Sequence, residues 1–165
     1  MARIVKSGLI QMSLAITEGE GSIAEIKEAM FQKHLPLIHA AGEQGVQILC
    51  FQEIFNTPYF CPGQDPKWYE SAEAADGETV QRLIELAKKY QMVIIVPIYE
   101  KEQAGVLYNT AVVIDADGTV LGKYRKNHIP QTGGFWEKYY FKPGNLGYPV
   151  FQTRYAKVGV YICYD

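Results

Sequence analysis

The chain has 165 residues, enough for one domain with a sizeable core and short for two. Its net charge of −2 lacks the basic excess of a nucleic-acid footprint, and its 48% hydrophobic content is that of an ordinary globular protein. No stretch approaches the roughly 18 apolar residues of a membrane span, and the N-terminus lacks a signal-peptide core. A cytoplasmic protein without membrane or nucleic-acid partners is the expectation, with reduced thiols at Cys50, Cys61 and Cys163.

In chain order, Ile4 to Gln11 reads as a short strand. Ser22 and Glu25 form a capping-box pattern that opens a helix with Ile23, Ile26 and Met30 at helical spacing. Pro36 predicts a kink or break, and Gly42 and Gly45 a stop. Val46 to Phe51 is almost wholly apolar, as strands covered on both faces are. The breakers Pro58, Pro62, Gly63 and Pro66 make the next stretch irregular. A second helix carries Val80, Leu83, Ile84 and Ala87, with Lys88 and Lys89 near its end.

Met92 to Val96 is another buried strand. Leu107 to Ile114 and Val120 to Arg125 read as a hairpin across Asp115-Ala116-Asp117-Gly118. Asn127 to Pro149 is a loop too long for mere connection. Two short strands follow, Val150 to Thr153 and Val158 to Ile162, ending at Cys163. The order predicts a mixed sheet with both helices on one face. The chain stops directly after a buried strand and a Cys-Tyr-Asp corner, so a longer protein is expected, with residues 1–165 as one domain incomplete at its C-terminus.

Three chemically capable residues follow predicted buried strands: Glu53, Lys126 and Cys163. Ligands in open α/β sheets bind beyond the carboxyl ends of strands, so adjacent strands would bring an acid, a cation and a thiol to one mouth. A carboxylate can take the thiol proton. An ammonium favours the thiolate and holds a developing oxyanion, with the backbone N–H of Tyr164 as a second donor. No serine elbow, phosphate loop or metalloprotease motif is present, and His34, His39 and His128 fit no familiar metal spacing. On spacing alone the alternatives stay open. On that basis Cys163 reads as a small buried apolar residue before it reads as a nucleophile. Glu53 reads as a surface or capping acid, Lys126 as part of a solvated basic run, and Glu137 as exposed. Cys50 and Cys61 read as structural.

At these residues the sequence resembles the nitrilase superfamily of carbon–nitrogen hydrolases. The resemblance lies in Cys50-Phe51-Gln52-Glu53-Ile54-Phe55, Gly122-Lys123-Tyr124-Arg125-Lys126-Asn127-His128-Ile129-Pro130 and Val158-Gly159-Val160-Tyr161-Ile162-Cys163-Tyr164-Asp165, with Gly144 to Phe151 before the last block. It covers essentially the whole chain. It implies an α/β fold, the four-layer α-β-β-α sandwich, assembled into homo-oligomers without metal or organic cofactor. It assigns Cys163 as nucleophile, Glu53 as general base and Lys126 as oxyanion-holding cation. Glu137 becomes a second carboxylate that orients Lys126. The wording is nearest the carbamoyl-amide branch, which implies a small N-carbamoyl substrate, foremost N-carbamoyl-β-alanine hydrolysed to β-alanine, carbon dioxide and ammonia. His128 and Tyr164 are then substrate or oxyanion contacts. Members acting on N-carbamoylputrescine typically carry Trp where Tyr164 stands. Hydrolysis of N-carbamoylputrescine or an ω-amide, and a non-catalytic association module, are the alternatives.

Overall fold

A computed structural model describes residues 4–16 and 20–165. The elements are β1 (Ser7–Ile10), α1 (Ile23–Glu43), β2 (Ile48–Phe51), α2 (Glu78–Tyr90), β3 (Val93–Gln103), β4 (Val106–Ile114), β5 (Val120–Arg125), β6 (Val150–Gln152) and β7 (Lys157–Gly159). Short 3-10 turns occupy Pro66–Ser71 and Glu137–Tyr139. Among the described residues no helix is long and apolar enough to cross a membrane.

α1 begins where the sequence signals it. The Ser22 hydroxyl accepts from the Glu25 N–H, and the Glu25 carboxylate accepts from the Ser22 N–H at 2.7 Å. Pro36 does not break the helix, which runs 21 residues through it. Pro36 and Gln32 lie on the solvent side, so the carbonyl left without an N–H partner is not sealed in the core. Met30, Phe31 and His34 before the proline, and Ile38 after it, are all buried and hold both segments down.

β1, β2 and β3 run parallel, whereas β4 and β5 return antiparallel, in the order β1-β2-β3-β4-β5. β3 continues well past the expected end at Val96. Pro97 pairs with Ala111 in the antiparallel ladder, and both edges of the long β3–β4 hairpin stay regular to Lys101. The β4–β5 hairpin turns at Gly118, whose φ of +85° is the left-handed conformation the Asp-Gly signal anticipates. The last two strands are shorter than expected and, among the described residues, pair only with each other.

Both helices cover one face, as the element order implied. Phe31, Ile38, Leu83 and Ala87 pack on Leu49, Ile94, Val96, Ile98, Val112 and Ile114. Each fully buried aliphatic side chain in this layer contributes about 1.5–3 kcal/mol. A Cβ at Gly42 would collide with the Tyr90 ring, so the helices approach there only because position 42 has no side chain. The opposite face carries Val93, Ile95, Ala111, Val113 and Tyr124 under Phe151 and Ile162. A third cluster forms at the sheet end, where Phe60, Trp68 and Tyr99 meet Ile129, Tyr140 and Phe141 of the long loop.

Candidate active site

Strand direction gathers the site. β5 is separated from β2 by two strands, β3 and β4, but points the same way, so Glu53 after β2 and Lys126 after β5 emerge at one edge of the sheet. The expectation of adjacent strands is corrected here: their side chains span β3 and β4. Pro97 and Ala111 sit between them, and with Ile95, Glu53 and Cys163 they line a cavity of about 130 Å³. Two small side chains at the centre of the floor leave that room.

The basic run resolves by the two-residue period of a strand. Lys123 and Arg125 turn to the helix-covered face, where both reach Glu100 and Glu102. Tyr124 and Lys126 turn to the other face. Lys126 is therefore fully buried, against its reading as part of a solvated run.

Three carboxylate hydrogen bonds surround its ammonium. Nζ donates to Glu53 Oε1 at 3.0 Å, Glu137 Oε1 at 3.0 Å and Glu137 Oε2 at 2.7 Å. Glu137, expected on spacing to be exposed, is fully buried on the 3-10 turn of the long loop. That loop is fixed by Phe141 N–H and Tyr140 N–H donating to the Glu137 carbonyl, and by its aromatics in the third cluster. Tyr59 completes the shell by donating to Glu137 Oε1 at 2.6 Å. Every oxygen of Glu137 is thus engaged. At Glu53 both donors, Lys126 and the Asn109 amide at 2.5 Å, fall on Oε1, and no hydrogen bond to Oε2 occurs among the described residues.

Burial alone would depress the Lys126 pKa, but the Glu137 hydrogen bonds and the Glu53 charge outweigh it and hold the ammonium above its ordinary value. Burial pushes the Glu137 carboxyl up against the pull of Lys126 and Tyr59.

Cys163 occupies a tight turn with φ of +46°, closed by Asp165 N–H donating to the Ile162 carbonyl at 3.1 Å. It is exposed in this chain. Its Sγ and one oxygen each of Glu53 and Glu137 lie within 4.8 Å of one another. That spacing would suit a cation, and the Lys126 ammonium on both carboxylates is that cation. Burial, then the Glu53 charge, raise the Cys163 thiol above its ordinary range, and Lys126 opposes the shift without cancelling it. The neighbouring carboxylate charges thus oppose the thiolate that a lysine neighbour alone would favour.

The chain matches the carbon–nitrogen hydrolase family over residues 8–165. It belongs to that family. It is 45% identical over 164 residues to a beta-ureidopropionase of Arabidopsis thaliana, covering 98% of this chain and 40% of that protein. An N-carbamoylputrescine amidase of Solanum lycopersicum is 47% identical over 130 residues, 78% of this chain and 43% of the other. The crystal structure of a carbon–nitrogen hydrolase from Helicobacter pylori G27 superposes with a TM-score of 0.86 at 32% identity, over 98% of this chain and 52% of that one. The chain thus spans about half the length of these relatives, and over that span it has the α/β fold of the family.

Of the residues singled out in the sequence, this family member brings Glu53, Lys126, Glu137 and Cys163 into one cluster. His128 is held elsewhere. Its backbone N–H and its Nδ1 both contact Asp165 Oδ1, at 3.0 and 3.1 Å, and its exposed ring stacks on Tyr148. The Tyr164 side chain is exposed. Cys61 packs in the third cluster and Cys50 under the opposite face, and burial raises both thiols.

Three residues that hold the cluster escaped the sequence reading. Asp165 clamps the Cys163 turn to the loop after β5, accepting from Tyr124 Oη at 2.6 Å and from the N–H groups of Ile162, Asn127 and His128. Asn109 anchors Glu53, and Tyr59 anchors Glu137. Asn109 did carry a signal, a polar residue within an otherwise apolar buried strand; Tyr59, in an irregular stretch, carried none.

Proposed function

We propose that the protein hydrolyses the carbon–nitrogen bond of a small N-carbamoyl compound, foremost N-carbamoyl-β-alanine, through a Cys163-bound intermediate. The observation that carries this reading is the division of hydrogen bonds in the cluster. Glu137 has both oxygens committed to Lys126 and Tyr59, so it orients; Glu53 Oε2 has no hydrogen bond among the described residues, so it can take a proton.

In this reading Glu53 Oε2 accepts the Cys163 proton as Sγ attacks the ureido carbonyl carbon. The Lys126 ammonium and the Tyr164 backbone N–H hold the oxyanion. Collapse breaks one C–N bond, and the protonated Glu53 returns its proton to the departing nitrogen. Glu53 then activates water to cleave the thioester-like bond. The carbamate released loses carbon dioxide, so one water converts the ureido compound to amine, carbon dioxide and ammonia. Assembly into homo-oligomers belongs to the same reading.

A second substrate, N-carbamoylputrescine, is favoured by the similarity to the tomato protein over most of this chain. The two substrates differ at the distal end, a carboxylate against an ammonium, so no single pocket charge suits both. Tyr164 in place of the Trp typical of N-carbamoylputrescine hydrolases supports the carboxylate-bearing substrate.

The test is ammonia release by the intact protein from N-carbamoyl-β-alanine, N-carbamoylputrescine and simple ω-amides, with Cys163→Ala as control. The ureido acid is expected to turn over fastest, and Cys163→Ala to abolish turnover while the protein stays folded. Retention of more than about 1% of the rate by Cys163→Ala would remove Cys163 from the nucleophile role, since such substitutions cost about 10⁴-fold or more.

A further inference from the structure

Asn109 is fully buried on β4, on the face away from the helices, and joins the two halves of the cluster. Its backbone carbonyl accepts from the Lys126 N–H at 2.9 Å, and its side-chain Nδ2 donates to Glu53 Oε1 at 2.5 Å. Because an ionised carboxylate only accepts, the amide must present its NH₂ to Glu53, which fixes the direction of its Oδ1. That oxygen is buried and has no hydrogen-bond partner among the described residues. Buried side-chain acceptors are nearly always paired, so one left unpaired marks a position where stability did not decide the residue.

The arrangement acts on the base. A carboxylate turns readily about its last torsion, and with equal surroundings its two oxygens exchange roles. Here Oε1 takes both the Asn109 and the Lys126 donors, and Oε2 takes none among the described residues. The two oxygens are therefore unequal before substrate arrives.

Resting on the reading of Glu53 as base, we propose that Asn109 is a positioning residue: it pins Oε1 so that Oε2 stands free for the Cys163 proton, and it does so at the expense of its own unpaired carbonyl. A structural role predicts the opposite of this cost. Leucine matches the shape of asparagine and brings no polar atom, so Asn109→Leu removes the orphan acceptor.

The experiment measures kcat, KM, thermal midpoint and the pH dependence of iodoacetamide alkylation at Cys163, for the intact protein and for Asn109→Leu and Asn109→Asp. For Asn109→Leu, kcat falls about 10–100-fold, the scale of a misplaced catalytic group, while KM stays within about 3-fold and the thermal midpoint holds or rises. The alkylation profile moves toward that of Glu53→Gln, because the carboxylate is no longer held against the sulfur. Asn109→Asp sets a second carboxylate on Oε1, so the acid limb of the kcat/KM profile moves to higher pH.

Wild-type kcat together with a wild-type alkylation profile in Asn109→Leu would overturn the proposal. So would a kcat loss that tracks a fall in thermal midpoint with the alkylation profile unmoved. If the unsubstituted protein turns over none of the ureido or amide substrates, the hydrolase reading fails. The alkylation profiles, which need no substrate, then decide the role of Asn109 alone.

Discussion

Glu137→Leu tests the buried ion pair at the centre of the site. Lys126 Nζ has three carboxylate hydrogen bonds, and Glu137 makes two of them, at 2.7 and 3.0 Å. Both side chains are fully buried, so without Glu137 the ammonium keeps only Glu53 Oε1, from a carboxylate that is 20% exposed. Breaking a buried pair on one side costs about 3–5 kcal/mol. The Tyr59 hydroxyl, left without its acceptor, adds about 1 kcal/mol.

Removing both charges should cost less than the two single losses together. Lys126→Met with Glu137→Leu leaves no uncompensated buried charge between these positions, so a coupling of about 2–3 kcal/mol is expected between the two substitutions. Lys126→Met alone adds a pH dependence. The Glu137 pKa, already raised by burial, rises further without its cation. A folded-state acid pKa above the unfolded one favours the fold at low pH and withdraws that stability as pH rises through the folded value. Lys126→Met is therefore least destabilised in acid. Urea denaturation of the four proteins at constant m reads these differences. Strict additivity, or a Glu137→Leu cost under about 1 kcal/mol, would refute a charged pair sealed from solvent.

Two further outcomes follow from the same geometry. Glu53→Gln removes the negative neighbour that helps raise the Cys163 thiol, so iodoacetamide alkylation should shift to lower pH while turnover drops about 10²–10⁴-fold; an alkylation profile that does not move would mean the Glu53 charge does not act on the sulfur. Glu100, fully buried, has a carboxyl pushed down from 4.5 to about 2: burial opposes the shift, and the Arg125, Lys123 and Thr110 hydrogen bonds overcome it. A depressed folded pKa stabilises above the unfolded value and is lost as pH falls from there toward about 2, a swing of about 3 kcal/mol. In urea denaturation the deficit of Glu100→Gln relative to wild type should therefore shrink between pH 7 and pH 3, and a deficit constant across that range would place the acid sensitivity elsewhere.

Local chemistry made much of the fold legible in the sequence. The Ser22–Glu25 cap, the αα spacing of Val80, Leu83 and Ala87, and the Asp-Gly hairpin each involve residues close in the chain, and each formed as read. The kink or break read at Pro36 did not, because a proline's penalty is local while the packing that overrides it is not. Met30, Phe31, His34 and Ile38 hold α1 together, and the β3–β4 ladder carries the strand on through Pro97.

The site divides the same way. Residue type and strand-end position were enough to nominate Glu53, Lys126 and Cys163, and the resemblance of whole blocks added Glu137. What the chain order could not convey is burial and hydrogen-bond direction. Lys126 stands in a basic run whose alternate members go to opposite faces, and only the sheet shows that Arg125 meets Glu100 while Lys126 meets Glu137. The partners Tyr59 and Asn109 lie 78 and 56 residues from the carboxylates they bind, and Asp165 lies 41 from Tyr124. The sequence by itself determined which functional groups are available and which strands deliver them. Tertiary structure alone decided which oxygen is left free to take a proton, since that depends on where every other donor points.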